Sequence, residues 1–447
     1  MVVVPGERIH VRGSSRVTTL IILVNVLVYF YTSYPNLFLE STNESIYLLG
    51  FIPATLFTNP LQGVARIFTA MFTHADLFHI FFNMYFLWLF GRRVESIIGS
   101  WRYLLLYLTS GIAAVLFHVA IIPVGGYDSL VVPAVGASGA ISGVLGSYLL
   151  MFPNTRLMWC MSFLFLPYCF PVSTSVFLLI WFAEQVLYGY LRLGGVAYFA
   201  HVGGFVAGIA LTYIATKSII EQYKSSYTYD YIYGWLEEIG IVFRRPRGLG
   251  KIAKTILTVL LLLVAAGFAY GLYFINTTPP LTYLLNVSAN GSNDTVSLVV
   301  YQGSVDVSYS SVDSVRILLN RLTPVLYNPS LANTSETYDK NYNVNIQGIR
   351  VPIHLRMNAV YDEVGVMRYG SGEMYTRVVN IDMYGNAVIG DAISIDFVLD
   401  SMRLNTVPFL SIGGVLALGI TIYSVLSLRR ADEIAMVTGE APSLPYY

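Results

Sequence analysis

Eight apolar runs divide this sequence, at residues 17–33, 77–91, 103–122, 137–152, 171–190, 197–216, 253–275 and 407–428. A helix needs roughly 20 apolar residues to cross the hydrocarbon core of a bilayer. In lipid the backbone must satisfy its own hydrogen bonds, so each run is expected to be a helix. The second and fourth runs are short. Charged residues gather between the runs and make up 12% of the chain, against about 25% in soluble proteins. The sequence therefore predicts an all-α polytopic membrane protein, a six-helix core plus two extra transmembrane helices, joined to one external segment of different character. Net charge is zero and no basic face interleaved with aromatics is present, so no nucleic-acid partner is expected. Cys160 and Cys169 both lie in the apolar half, and suggest neither a disulfide framework nor a zinc site. The first run leads into Tyr31, Thr32, Ser33 and Tyr34 rather than a small-residue cleavage site, and is expected to stay as an anchor. Neither a cofactor nor a metal is expected.

Orientation follows from the short loops. Arg8, Arg12 and Arg16 precede the first run; Arg92, Arg93 and Arg102 lie between the second and third; Arg156 lies between the fourth and fifth. Arg244, Arg245, Arg247, Lys251 and Lys254 precede the seventh, and Arg429 and Arg430 follow the eighth. If the runs alternate, all these charges fall on one side, which is then cytoplasmic together with both termini. The resulting domain plan has a six-helix core at 1–216, a cytoplasmic linker at 217–252, a seventh span at 253–275, an extracytoplasmic domain at 276–406, an eighth span at 407–428 and a cytoplasmic tail at 429–447. The external domain is expected to be β-rich, because "TVSLVVYQGSVDVSYSS" and "AISIDFVLDSM" alternate with β-branched and aromatic residues between turn residues. Its sequons at Asn276, Asn286, Asn290, Asn293 and Asn333, with Asn43 in the first external loop, suit an outer surface, as in a plasma-membrane protein. The first external loop, 34–76, is apolar but broken by Pro53 and Pro60, and is expected to lie in the interface.

Polar side chains inside spans are costly and usually carry a partner or a function. The second run gives His79 and Asn83, with His74 just before it; the fourth gives Ser138 and Ser142; the sixth gives His201. These three runs cross in the same direction, so His79, Asn83, Ser138 and His201 all fall in the first turn or two, at similar depth below the outer surface. Ser138, Gly139, Ser142, Gly143 and Gly146 share one side of the fourth run, while Ile141, Val144, Leu145 and Leu149 cover the other. Gly136 precedes them and is expected to serve helix packing with Gly139, Gly143 and Gly146, and His201, Gly204 and Gly208 share a face of the sixth. Such small-residue faces let helix backbones approach closely in membranes, which would bring Ser138 to His201.

That meeting would make a serine–histidine dyad. His201 would accept the Ser138 proton and return it to a leaving amine. Ser138 opens a helix, so its backbone N–H lacks an intrahelical partner. Together with His79 and Asn83 it could stabilise a tetrahedral oxyanion. No carboxylate lies at the same depth in these three runs, so packing alone is expected to orient His201. Each element has a plainer meaning in isolation. A serine in a membrane helix usually bonds back to its own carbonyls, glycine faces are mostly packing devices, and His74 and His118 suit interfacial hydrogen bonding. Ser142 is expected to serve packing, and Glu184 and Gln185 are the polar residues of the fifth run.

The segments "HADLFHIFFN" (74–83), "GRRVE" (91–95), "GASGAISGVLG" (136–146) and "AHVGGFVAG" (200–208) together resemble the rhomboid intramembrane serine proteases. The likeness covers about residues 17–216. It implies Ser138 as nucleophile, His201 as base, His79 and Asn83 as oxyanion helpers, and Glu95 in a structural role. It also implies a cavity open to the outside, and transmembrane segments of other proteins as substrates. Many relatives carry an aromatic residue four after the nucleophile, where this chain has Ser142, so another group must hold His201. The competing reading is a catalytically silent rhomboid-like factor that binds membrane proteins. A transporter is disfavoured because no carboxylate relay continues inward from the histidines.

Overall fold

The computed structural model of the chain describes residues 2–5, 15–163, 166–193, 195–225, 248–346, 348–381 and 387–438. Arg8, Arg12, Arg244, Arg245 and Arg247, most of the 217–252 linker and the end of the 429–447 tail lie outside these residues.

Helix α1 (Arg16–Ser33) leads through α2 (Asn43–Leu49), a single helical turn at Thr55–Thr58 and α3 (Pro60–Ala70) to α4 (Leu77–Phe86). The last does not stop where the apolar run ends. It passes through a π turn at Leu87–Gly91 and continues as Arg92–Ile98, a rod on the order of 30 Å at 1.5 Å per residue. Helices α5 (Ser100–Gly125), α6 (Ser138–Met151), α7 (Thr174–Leu191) and α8 (Tyr198–Ser225) follow. Two more long helices, α9 (Lys251–Thr277) and, after a shorter α10 (Asp313–Leu326), α11 (Val407–Ser427), flank a β-rich segment. Six helices among the described residues, namely α1, α5, α7, α8, α9 and α11, are each long and apolar enough to cross a membrane. The chain is a polytopic membrane protein.

Helix α6 has only 14 residues, and every one from Gly139 to Met151 is buried. At about 1.5 Å per residue it is shorter than the hydrocarbon core of about 30 Å, and loops complete the path at its ends. It is the central post of the bundle, apolar all round because protein surrounds it. Its glycines explain how α8 comes so close. A Cβ on Gly204 would fall on the Gly139 carbonyl oxygen, one on Gly208 on that of Gly143, and one on Gly146 on that of Phe205. Gly143 also faces Ser110 of α5. At the opposite end of the bundle, fully buried Glu95 accepts from the α1 N–H groups of Val17 at 3.0 Å and Thr18 at 2.9 Å, and from the hydroxyls of Thr18 and Ser100. A carboxylate there satisfies donors that the start of α1 leaves open and complements its dipole.

Two expectations about the membrane half need correction. The half is not all-α: strands β1 (Val2–Pro5), β2 (Arg156–Phe163) and β3 (Leu166–Ser173) form a three-stranded antiparallel sheet at the end where α6 leaves and α7 begins. The fifth apolar run therefore starts its helix only at Thr174, capped by the Ser173 hydroxyl. The cysteines do pair. Cys160 and Cys169 face each other in the β2–β3 register and form a disulfide. Apolar surroundings concealed the pairing, because side-by-side placement depends on the hairpin and not on composition.

The segment between α9 and α11 is β-rich as its alternation predicts, and it contains one helix that the alternation does not reveal. Strands β4 (Leu281–Ala289), β5 (Ser292–Tyr301), β6 (Ser304–Val307), β7 (Ser335–Ile346), β8 (Ile349–Tyr361), β9 (Met367–Ile381) and β10 (Ala387–Leu404) form one antiparallel sheet. Their order is β6-β5-β4-β10-β9-β8-β7. Val315, Leu318, Leu319 and Leu322 of α10, at helical spacing, pack on one sheet face against Leu285, Leu298, Leu355 and Leu399. The β5–β6 end of the sheet rests on the membrane half. Tyr309 stacks on Tyr47 of α2 with centroids 4.1 Å apart, and Tyr301 meets Tyr127 at 4.7 Å. Val299 is buried in one cluster with Phe51, Tyr127 and Leu130.

Candidate active site

The loop before α6 and the first turns of α4, α6 and α8 converge at the end of the bundle that faces the β-rich domain. Ser138, His201, His79 and Asn83 all line one cavity of about 910 Å³. Its border includes Ile46 of α2 and Asp128 and Ser129, from the parts of the membrane half next to the β-rich domain.

Ser138 and His201 meet directly: His201 Nε2 lies 2.8 Å from Ser138 Oγ. The contact follows from the glycine packing of α6 against α8, because both side chains occupy the ends of those helices. Ser138 is the first residue of α6, so its N–H has no carbonyl of its own helix to bond.

His79 occupies the first turn of α4, which Asp76 caps by accepting from its N–H at 2.9 Å. The imidazole Nδ1 accepts from the Ala75 N–H at 3.4 Å, which leaves the proton on Nε2. That Nε2 sits against Gly136: a Cβ there would come within 2.7 Å of it, and within 3.5 Å of Ser138 Oγ. Gly136 was expected to serve helix packing. It instead lies in the loop before α6 at φ +121, a region that L side chains rarely adopt, with its N–H donated to Ala70 O at 2.9 Å. Gly139, Gly143, Gly146, Gly204 and Gly208 are at the helix crossings. Asn83 Nδ2 donates to His79 O at 2.8 Å, and its amide lines the cavity on the same side as His79.

His74 is fully buried behind the loop, where its Nε2 accepts from the Ala137 N–H at 3.5 Å and its ring lies edge-on to His79. His118 of α5 also lines the cavity. Ser142 Oγ donates to Ser138 O at 2.6 Å, the back-bonding expected of a helical serine. Glu184 faces outward and is exposed.

The residue that sequence reasoning missed is Gln185. Its Oε1 lies 2.7 Å from His201 Nδ1, and the side chain is buried. Trp181, one turn earlier on α7, lies nearly parallel to the His201 ring, with centroids 6.3 Å apart. His201 is therefore held by a polar contact as well as by packing. The signal was present, since Trp181 and Gln185 share a helix face at i and i+4. It is faint because Gln185 belongs to the fifth apolar run, not to the three that carry the other polar groups, and because an amide, unlike a carboxylate, is no mark of a charged partner.

The fold and site define a class, a multi-pass membrane protein with a serine–histidine pair in a cavity inside its helical bundle. Residues 61–218 match the rhomboid domain, so the chain carries a rhomboid domain within its membrane half. It is 31% identical over 155 residues to the mitochondrial Rhomboid protein 1 of Saccharomyces cerevisiae, covering 34% of this chain and 42% of that one. It is 30% identical over 208 residues to RHOMBOID-like protein 4 of Arabidopsis thaliana, covering 46% and 45%. It is 29% identical over 143 residues to the Rhomboid protease GluP of Bacillus subtilis, covering 32% and 24%. The chain spans under half the length of these relatives, and none of the three alignments covers half of this chain.

Proposed function

We propose that this chain is an intramembrane serine endopeptidase that cuts transmembrane segments of other membrane proteins. The observation that carries the reading is the 2.8 Å contact between Ser138 Oγ and His201 Nε2 inside a cavity large enough for an extended peptide. In the acylation step His201 Nε2 takes the Ser138 proton as Oγ bonds to the scissile carbonyl carbon. The carbonyl oxygen becomes an oxyanion facing His79 Nε2–H, the Asn83 amide and the Ser138 N–H. The positive end of the α6 dipole adds to their field. The intermediate collapses as the C–N bond breaks, and His201 returns the proton to the leaving amine. Water then attacks the acyl carbon as His201 takes its proton; the second intermediate collapses as the bond to Ser138 Oγ breaks, and His201 returns the proton to Oγ, freeing the new carboxyl end.

In this reading residues 1–216 are the catalytic core, with eight spans in all, and 276–406 is an extracytoplasmic domain at the cavity mouth. The linker 217–252 and tail 429–447 are cytoplasmic, as are both termini, and the protein resides in the cell membrane. The basic residues described above and the external sequons support that orientation. The alternative, a silent rhomboid-like binding factor, has no need of a hydrogen-bonded serine and histidine. The test is covalent labelling of the purified protein with a fluorophosphonate. The expected result is a single label on Ser138 that disappears in His201→Ala. Absence of label on a folded wild type, or label elsewhere, would favour the binding factor.

A further inference from the structure

Catalysis through His201 needs one tautomer. Nε2 must be free to accept, so the proton must sit on Nδ1. A lone imidazole divides between tautomers and rotates about its side-chain bonds. In triad hydrolases a carboxylate facing Nδ1 fixes both choices. Around His201 the group at Nδ1 is an amide from a different helix: Gln185 Oε1 of α7, 2.7 Å away and buried.

We propose that Gln185 is the positioning residue of this site, a neutral third member that accepts the Nδ1–H bond and turns Nε2 toward Ser138. The assignment rests on the reading of Ser138 as nucleophile and His201 as base. Three observations carry it. The two nitrogens of one ring contact Gln185 on one side and Ser138 on the other, at 2.7 and 2.8 Å. Position 142, one turn after the serine, holds a small side chain bonded to its own helix, so it contributes no ring to steady the base. Trp181, on the same face of α7 as Gln185, covers the imidazole plane at 6.3 Å. The amide fixes direction and the indole limits tilt, and both come from α7 rather than from the two helices that carry the dyad.

An amide suits the place. A carboxylate buried among these side chains would bring a desolvation cost that a neutral group avoids. The amide oxygen still accepts a hydrogen bond from Nδ1–H in both the neutral and the protonated ring. It forgoes the charge stabilisation of the imidazolium that a carboxylate gives, so the base is oriented without being made much stronger.

The experiment has two arms on the full-length protein in detergent. In the first, cleavage of a transmembrane model substrate is followed against pH for wild type, Gln185→Leu and Gln185→Glu. The Leu variant keeps the volume and loses the acceptor. Its kcat is expected to fall about 10- to 100-fold with KM little changed, the scale of a lost orienting contact. The Glu variant is expected to recover activity and to move the acid limb of kcat/KM to higher pH, because a carboxylate at Nδ1 favours the protonated ring. An unchanged kcat and pH profile in Gln185→Leu would overturn the proposal. The second arm is nitrogen NMR of histidine-labelled wild type, with His201 assigned by difference from His201→Ala. The expected signal is the Nδ1–H tautomer, and the Nε2–H tautomer would overturn the proposal even if the Leu variant fails to fold. If wild type shows no Ser138-dependent cleavage, the protease reading falls, and the spectrum still decides the role of Gln185.

Discussion

The two halves of this molecule bring distant residues together by opposite means. In the β-rich domain, β8 and β10 alternate buried and exposed side chains, and large apolar residues such as Leu355, Phe397 and Leu399 fill the space beneath α10. Water supplies the driving force, and bulk is what stabilises. In the membrane half the surrounding lipid is as apolar as leucine, so burial alone gives little, and close contact must stabilise instead. The central helix accordingly removes bulk, and Gly139, Gly143 and Gly146 meet Gly204, Gly208 and the Phe205 backbone without an intervening Cβ. The space so removed is what lets Ser138 and His201 touch. The lesson is that the same substitution, adding or deleting methylenes, should have opposite consequences in the two halves.

Gly204→Leu gives the largest expected effect. The side chain has no room against the Gly139 carbonyl, so α6 and α8 must separate. A displacement near 1 Å at a reacting pair costs on the order of 100-fold in rate. Cleavage and Ser138 labelling should both be lost while the β-rich domain melts as in wild type. Normal labelling in this variant would mean that glycine packing does not set the dyad. Leu355→Ala is the converse. It should destabilise the β-rich domain by about 2–5 kcal/mol, read by denaturant unfolding of that domain, with Ser138 labelling unchanged. A parallel loss of labelling would mean that the halves are one cooperative unit.

The smallest effect concerns their junction. Asp306 of β6 has its carboxyl pKa raised, first by burial and then by the nearby Asp128 carboxylate. A carboxyl whose folded pKa lies above its unfolded value binds more protons when folded. Its contribution is therefore greatest at acid pH and is lost as pH rises through the raised value. The docking of the domain on the Tyr127–Leu130 turn should loosen slightly from the ordinary carboxylate range upward, and Asp306→Asn should remove that dependence. Hydrogen exchange of the turn against pH measures it, and identical profiles in both proteins would exclude Asp306 as the cause. The effect is small because solvent still screens a carboxyl that is only partly buried.

Much of this architecture was legible in the sequence, for reasons that differ between the halves. Alternation exposed the strands of the β-rich domain, and glycine spacing together with common depth pointed to Ser138, His201, His79 and Asn83. Depth and spacing are local properties that a linear chain displays. What stayed hidden depends on which elements become neighbours. The Cys160–Cys169 pairing needs the β2–β3 register. The role of Gly136 depends on a positive φ that a GxxG spacing does not encode. The contact between Gln185 and His201 joins α7 to α8 across a turn, and an amide carries no sign of its partner until the helices are packed. The extension of α4 to Ile98 was missed because Arg92, Arg93 and Glu95 read as a loop, whereas Glu95 is buried at the start of α1.

The central claim is that close packing of α6 and α8 turns Ser138 into a nucleophile. Its most direct test is cleavage of one transmembrane model substrate by purified wild type and by Ser138→Ala, at equal protein and with product ends identified. The account predicts a single internal cut by wild type and none by the variant. Cleavage that continues unchanged in Ser138→Ala would contradict it.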